Sequence, residues 1–521
     1  MFDRWILGWL CALPLLSSPA AAQTPDLTVS VVGTSNAWTF HGSALGQAAY
    51  SFRNTTCNQG TAPLDWSPVL VENLYQVIDG GIRQLGAGFG LHKTCALNGT
   101  GCGTCQPTGC STLGVGCADT SAVNDGAFGW ARWQIDGVRG TWTGTPVGPC
   151  CEDPILAGRV FAPIADLEDP AGRIIAESLF LSEHDQASGN GANNASWTEM
   201  LVPDHRFPSG SGVTHVGEPA IFAWQDRYPD VQIEALVIPD EGGPGIDGHL
   251  WLGSRATDLG NGFWRYDYAI QNLTSERGVR EFSVASTCPQ MSPFQMEFHG
   301  VPHHSGSPYD STPWTPYHLG GVLTWATDSF AQNPNANALR WGTLYSFSFL
   351  ASDPPGQGTV ALGLFQPGTP ASITGAAWIP SHVGFEYPAF CTALPTSLGV
   401  PMVTTGSGTP VIDNVDLQLT TAPIPLQCIG YYLMADGQGF LPLPAGSQGN
   451  LCVGGTLYRL NGPGQVQFSG TTGSVSFHPD PNQLPSGAVW TPGSTWNFQY
   501  WSRDNGFPSN FSNLASITFC Y

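Results

Sequence analysis

The stretch FHGVPHHSGSPYDSTPWTPYH, from Phe298 to His318, holds four of the chain's twelve histidines together with Asp310. Imidazole nitrogens and a carboxylate are ligand types that zinc and copper accept. On extended backbone alternate residues share a face, so the adjacent His303 and His304 point opposite ways. Ser305-Gly306-Ser307-Pro308 is a turn sequence, and a turn there lets His304 come back toward His299. His299, His304 and Asp310 are therefore the predicted ligand set for a transition metal. The plainer alternative is a polar loop whose histidines bond to backbone.

A second oxygen-rich stretch is SEHDQASGNGANNASW, residues 182–197. Asp185, Asn190 and Asn193 offer the oxygen ligands that calcium takes in sets of six to eight. The competing reading is that Asn and Gly simply supply turn conformations. Cys102-x-x-Cys105 with Cys110 and Cys117 has the look of a zinc knot, but it lacks a second CxxC, and disulfides are the stronger expectation. Gly243 to Gly248 matches GxGxxG after an apolar run. His249-Leu250-Trp251-Leu252 then follows as a strand where a dinucleotide site needs a helix, so a hairpin turn is expected. Neither HExxH nor GxSxG occurs, and the single lysine, Lys93, follows His92 and not glycine, which excludes a P-loop. A glycosidase needs two carboxylates across a cleft, and the sequence alone does not pair two of its 39 acids.

The elements that carry these residues are strands. Gly and Pro number 65 and 43 in 521 residues, a density that punctuates short strands and leaves little room for long helices. Trp264 to Ile270, Leu344 to Phe349 and Trp496 to Tyr500 alternate apolar and polar residues. Residues 170–182 are the best short-helix candidate, and they suit a strand as well. The expected fold is all-β: a large β-sandwich body, one sandwich or two packed ones, then a smaller antiparallel sandwich. The predicted boundaries are 23–389, with a cysteine-rich insert at 95–117, and 390–521. Among the 18 tryptophans, Trp251, Trp264, Trp341, Trp490 and Trp496 lie in strand-like runs and are expected in cores. Trp314 and Trp325 flank the histidine loop and are expected to be exposed, where rings stack on sugars.

Only 11% of residues are charged, yet the formal net charge is −22. Without a basic run, phosphate-backbone binding has no electrostatic source, which excludes nucleic acid. Residues 1–22 read as a secretory signal peptide, with the apolar stretch Trp5 to Leu16 and the Ala20-x-Ala22 cleavage site. A dozen apolar residues fall short of the roughly 20 that cross a bilayer, and no membrane span is expected elsewhere. Export puts the thirteen cysteines that remain after cleavage in an oxidising place, where pairing is the default. The four after residue 390 allow three pairings.

The phrases ENLYQVIDGGIRQLG, LGVGCADTSA, GNGANNASW, WRYDYAIQNLTSERGVREFSV and NPNANALRWGTLYSFSF, followed by GSQGNLCVGG, GPGQVQFSGTTGSVSF, WNFQYWSRD and SNFSN, resemble an uncharacterised family of secreted proteins of planctomycete-type bacteria. The last four phrases resemble its C-terminal β-rich module. The resemblance covers nearly the whole mature chain and implies export and a β-rich body, with no established activity. It also implies the pairings Cys391–Cys452 and Cys428–Cys520. In the family pattern His299, His304, Tyr309 and Asp310 are usual, whereas His303 stands where an aromatic is commoner. The functional expectation is an exported, non-catalytic β-sandwich protein making adhesive or glycan contacts. The alternative is a secreted metal-dependent enzyme, acting on polysaccharide, centred on the loop from His299 to His318.

Overall fold

The structure, a computed structural model, describes residues 24–33, 37–121, 129–146, 153–240, 247–286, 293–304, 306–381, 385–410, 412, 415–491, 494–504 and 506–519. The signal peptide, Cys150, Cys151, Cys520 and the tip of the GxGxxG stretch lie outside these residues. Strands dominate, and the three α-helical segments described span four to six residues each. The short-helix candidate is a strand, Arg173–Leu181, buried along nearly its whole length. No helix among the described residues is long and apolar enough to cross a membrane.

Three sandwiches follow one another. In the first, a six-stranded antiparallel sheet runs in the order Ser209–His215, Ala195–Leu201, Arg173–Leu181, Val69–Ile78 and Gly81–Ala87, with Leu91–His92 beside Val69–Ile78. Two three-stranded sheets face it, and Leu27, Tyr50, Phe52, Leu74, Val160 and Phe180 fill the space between. In the second, the sheet Gln232–Pro239, Asp247–Asp258, Trp264–Asn272, Thr343–Ala351, Phe294–His299 packs on another of five strands. Tyr268, Phe282, Trp325, Phe347 and Phe349 lie between those two layers. In the third, Ile429–Leu441, Thr495–Arg503 and their neighbours pack over Val403–Thr409, Asp416–Ala422 and Val475–Phe477. Among the described residues no ladder joins strands before Ser381 to strands after Phe385, and Glu386 already bridges to Ser516 in the third sandwich.

The first two sandwiches share a second core. Tyr75, Val77, Ile175 and Trp197 on the outer face of the six-stranded sheet meet Ala220, Trp224, Ala269 and Leu344. This seam has a polar centre. Glu177, fully buried, accepts on one oxygen from Asn73 Nδ2 at 2.9 Å and Tyr75 Oη at 2.8 Å, and on the other from Ala220 N and Gln271 Nε2 at 2.6 Å each. Arg132 donates to the carbonyls of Gly88, Gly342 and Glu72 and to Asn73 Oδ1. A buried charge is tolerated only when its hydrogen-bonding capacity is filled in this way.

The cysteine-rich insert is a disulfide knot: Cys57–Cys102, Cys95–Cys110 and Cys105–Cys117. The zinc alternative thereby loses its thiolates. Lys93 sits beside the knot at 3.4 Å from the buried Asp119. Cys391–Cys452 is bonded as the resemblance implied. Cys428–Cys520 involves a residue outside the described set.

Candidate ligand-binding cleft

The strand Trp264–Asn272 alternates as expected, with Tyr266, Tyr268 and Ile270 facing the core of the second sandwich. Its other face carries Arg265 and Asp267. Register then builds a row across four strands: Arg255 pairs with Asp267, Asp267 with Ser348, and Ser348 with Glu297. One step along, Ala269 pairs with Ser346 and Ser346 with His299. Directly opposed residues on one sheet face have side chains within reach of each other, so strand order alone gathers an arginine, two carboxylates, two hydroxyls and an imidazole.

The hairpin between Val69–Ile78 and Gly81–Ala87 closes this row from the first sandwich. Asp79 and Gly80 both take positive φ, 51° and 85°, the two-residue turn for which Asp-Gly is a preferred sequence. At φ 85° Gly80 holds a left-handed backbone that a side chain would strain, and the Arg255 guanidinium lies against it. The result is a cleft of about 480 Å3 lined by Asp79, Arg83, Arg265, Asp267, Glu297, His299, Ser346 and Ser348 among others. Small-molecule sites run from roughly 300 to 1,000 Å3.

Within the cleft, Arg265 Nε donates to Asp267 Oδ1 at 2.9 Å, and its NH2 donates to Ser348 Oγ at 3.1 Å and to Glu297 Oε2 at 3.3 Å. Ser348 Oγ donates to the same Glu297 oxygen at 2.9 Å. Arg83 is held by Gln76 and by Asp166 at 2.9 Å. Asp267 is 4% exposed, and its second oxygen, Oδ2, is buried without a hydrogen-bond partner. Burial pushes its carboxyl up to about 6, against the pull of Arg265 and Arg255. His299 is pushed below its ordinary value by burial and by the nearby Arg83.

The predicted ligand set divides between two places. His299 ends the strand Phe294–His299 and faces the cleft. His303 and His304 turn the other way, into a pocket at the seam of the first two sandwiches. His303 stacks on Phe161 with ring centres 3.8 Å apart. His304 Nε2 donates to Asn337 Oδ1 at 3.2 Å. Burial, first of several causes, lowers His303 to about 3 and His304 to about 4. Asp310 accepts from Thr312 N and Asn333 Nδ2, tying down the loop that follows. His304 bonds to the Asp310 backbone and lies near its carboxylate, whereas His299 faces the cleft, so the three do not converge. Among the described residues the group of three whose ligand atoms all lie within 4.8 Å of one another is Glu168, Asp204 and His205. There Arg206 already neutralises Asp204 through two bonds, and His205 Nδ1 donates to Glu168 at 2.7 Å.

The calcium candidates serve the N-terminal strand instead. Asp185 accepts from Leu27 N at 2.8 Å and Asn194 Nδ2 at 2.7 Å. Asn190 donates to Pro25 O at 2.6 Å and Asn193 to Asp26 Oδ1 at 3.0 Å. Burial pushes Asp185 up to about 7. Trp314 and Trp325 are 2% and 0% exposed, which corrects the expectation that they are stacking platforms. Phe298, Tyr345 and Phe347 surround Trp314, and Phe282, Phe347 and Phe349 surround Trp325. Sequence reasoning missed Asp267, Arg265 and Glu297. The available signal was a strand whose polar positions include an Arg-x-Asp pair, but which sheet covers that face was not legible.

No protein-family model matches the chain, and no curated protein matches it. Among solved structures, the tetra-tandem repeat in the extending region of a large adhesion protein aligns over 96% of this chain and 74% of that one, at 10% identity and a TM-score of 0.13. The major pilin subunit BcpA of Bacillus cereus aligns over 73% of this chain and 88% of that one, at 8% identity and a TM-score of 0.16. Likeness this slight carries nothing about function.

Proposed function

We propose that the protein is exported and works at or beyond the cell surface, where it holds polyhydroxylated chains, glycans, in the cleft beside Asp267 without transforming them. The observation that carries this reading is the Asp267 carboxylate, nearly wholly buried at the cleft, with one oxygen unpartnered. An unmet buried acceptor costs about 1–3 kcal/mol, and a ligand hydroxyl that donates to it recovers that cost. Arg83, Arg265, Glu297, Ser346 and Ser348 bring both donors and acceptors to the cleft. That pattern matches vicinal hydroxyls better than it matches a single ion, since the charges of either sign largely offset one another. The disulfides support work in an oxidising compartment. The signal-like leader and the resemblance to exported planctomycete-type proteins point the same way.

The test is affinity electrophoresis of the purified protein through gels containing soluble polysaccharides of differing sugar type, run beside Asp267→Asn. At least one polysaccharide retards the wild type and fails to retard the variant. Equal mobility of both in every gel overturns the reading.

A further inference from the structure

The third sandwich has an open sheet face. Ile429, Tyr431 and Leu433 point to that face of the strand Ile429–Leu441, because the alternate residues Tyr432 and Met434 fill the core. Register sets their neighbours. Tyr431 stands opposite Trp501, Ile429 opposite both Arg503 and Phe468, and Leu433 opposite both Arg459 and Gln499. The disulfide-bonded Cys391 covers the face as far as Gln499, whose Nε2 lies 3.7 Å from its Sγ. Beyond that point the face is open. Ile429 and Phe468 are 47% and 57% exposed, Arg459 and Arg503 are exposed, and Tyr431 and Trp501 are half-buried with ring centres 4.9 Å apart.

From residue 385 onward the sequence contains no lysine and no arginine other than Arg459 and Arg503. Both lie on this face, on opposite diagonals from Tyr431. Diagonal neighbours in a sheet sit roughly 7–8 Å apart, within reach of long side chains. Among the described residues neither guanidinium has an ion-pair or hydrogen-bond partner. In the first two sandwiches Arg83, Arg139, Arg173, Arg206 and Arg265 each meet a carboxylate. A chain of net charge −22 thus leaves two uncompensated cations on one face, beside a tyrosine–tryptophan pair.

We propose that this face binds an acidic polysaccharide, one whose sugar rings carry carboxylate or sulfate groups. The apolar C–H surface of a sugar ring packs on Trp501 and Tyr431, and the anionic groups on either side pair with Arg459 and Arg503. At physiological salt, charges more than about 8 Å apart are largely screened, so acids elsewhere on the chain do not cancel this local attraction. An extended acidic peptide fits less well. The central strand is hydrogen-bonded on both sides, which leaves no free backbone to hold a peptide as an added strand. An anionic lipid surface also fits less well, because recognition there takes clusters of roughly four to eight cations and this face has Arg459 and Arg503 alone. The site shares no residue with the Asp267 cleft and stands even if that cleft holds nothing.

The test is isothermal titration calorimetry of the full chain with polygalacturonate, chondroitin sulfate, the neutral polysaccharide dextran, polyglutamate, and phosphatidylserine vesicles. Polygalacturonate or chondroitin sulfate binds, which tells carboxylate from sulfate recognition, and added salt weakens the binding. The double variant Arg459→Gln, Arg503→Gln weakens it by about three- to thirtyfold, the loss of two exposed ion pairs, with circular dichroism unchanged. Asp267→Asn leaves it as in the wild type, which separates this face from the cleft. Failure of both acidic polysaccharides to bind at low salt overturns the proposal, and so does equal affinity in the double variant. Polyglutamate or the vesicles bound as tightly through the same arginines also overturn it, since the partner is then an acidic protein or a membrane.

Discussion

Replacing Glu177 with glutamine tests whether the first two sandwiches are locked by their polar seam. In the wild type the carboxylate accepts four hydrogen bonds, two on each oxygen. The amide nitrogen of glutamine must take one of those two places. Facing Ala220 N it meets a backbone donor that has no freedom to turn, with the Gln271 amide beside it. Facing the other side it meets the Tyr75 hydroxyl, which can rotate to accept, and Asn73 Nδ2, which cannot. Asn73 is pinned because its Oδ1 already accepts from Arg132 at 2.7 Å and Gln84 at 3.1 Å. The cheaper orientation therefore strands one buried donor, at about 1–3 kcal/mol, and weakens two charge-assisted bonds. Arg132, which burial lowers to about 10 while Tyr75 and Glu177 hold it up, also loses a counter-charge. The sum is about 2–4 kcal/mol. Urea unfolding followed by tryptophan emission reports on the seam, since Trp197 and Trp224 lie in it. The expected result is a seam transition displaced by that amount, with Tyr75→Phe displaced by only about 1 kcal/mol. A Glu177→Gln variant within about 0.5 kcal/mol of wild type, the range of a neutral surface change, refutes the reasoning.

The Asp185 carboxyl, raised to about 7 in the folded chain, binds a proton more readily folded than unfolded, so its contribution to stability is full below about pH 4 and is lost as pH rises through about 7. Unfolding free energies measured from pH 4 to 8 should therefore shift in favour of Asp185→Asn relative to wild type up to about pH 7 and stay level above it. A double Cys391→Ser, Cys452→Ser variant should destabilise the third sandwich by about 2–4 kcal/mol and leave the seam transition in place; non-reducing peptide maps of the wild type should link Cys391 to Cys452 and Cys428 to Cys520. His304→Ala removes a partly buried ring bonded to Asn337, so its cost in urea unfolding should be about 1–3 kcal/mol, well above that of an exposed loop histidine.

The period-two alternation of Trp264 to Ile270 was enough to name a strand and its core face. It was silent on the opposite face, because a polar side chain reads the same whether water or a second sheet covers it. Asp267 is buried by the Asp79-Gly80 hairpin, about 190 positions away in sequence by simple counting. No local pattern encodes that approach. The predicted ligand set is divided between two pockets for a related reason. Closeness in sequence placed His299 with His304, whereas the end of a strand at His299 sends the chain to another pocket. Trp314 and Trp325 were judged by their polar neighbours in sequence, and the aromatic side chains of three strands enclose them instead. The Asp185, Asn190 and Asn193 loop, expected from its residue types to be a calcium site or a set of turns, spends its polar groups within the protein. Its partner is the backbone of residues 25–27, which only tertiary structure brings there.

In the proposed complex a saccharide hydroxyl donates to the buried, unpartnered Oδ2 of Asp267. The direct measurement is the dissociation constant of the best-retained soluble oligosaccharide, by calorimetry, for wild type and Asp267→Asn. A lost hydrogen bond to a buried carboxylate is worth about 1.5–3 kcal/mol, so the account predicts weakening of about 10- to 150-fold with circular dichroism unchanged. Equal affinity in the two proteins would contradict it.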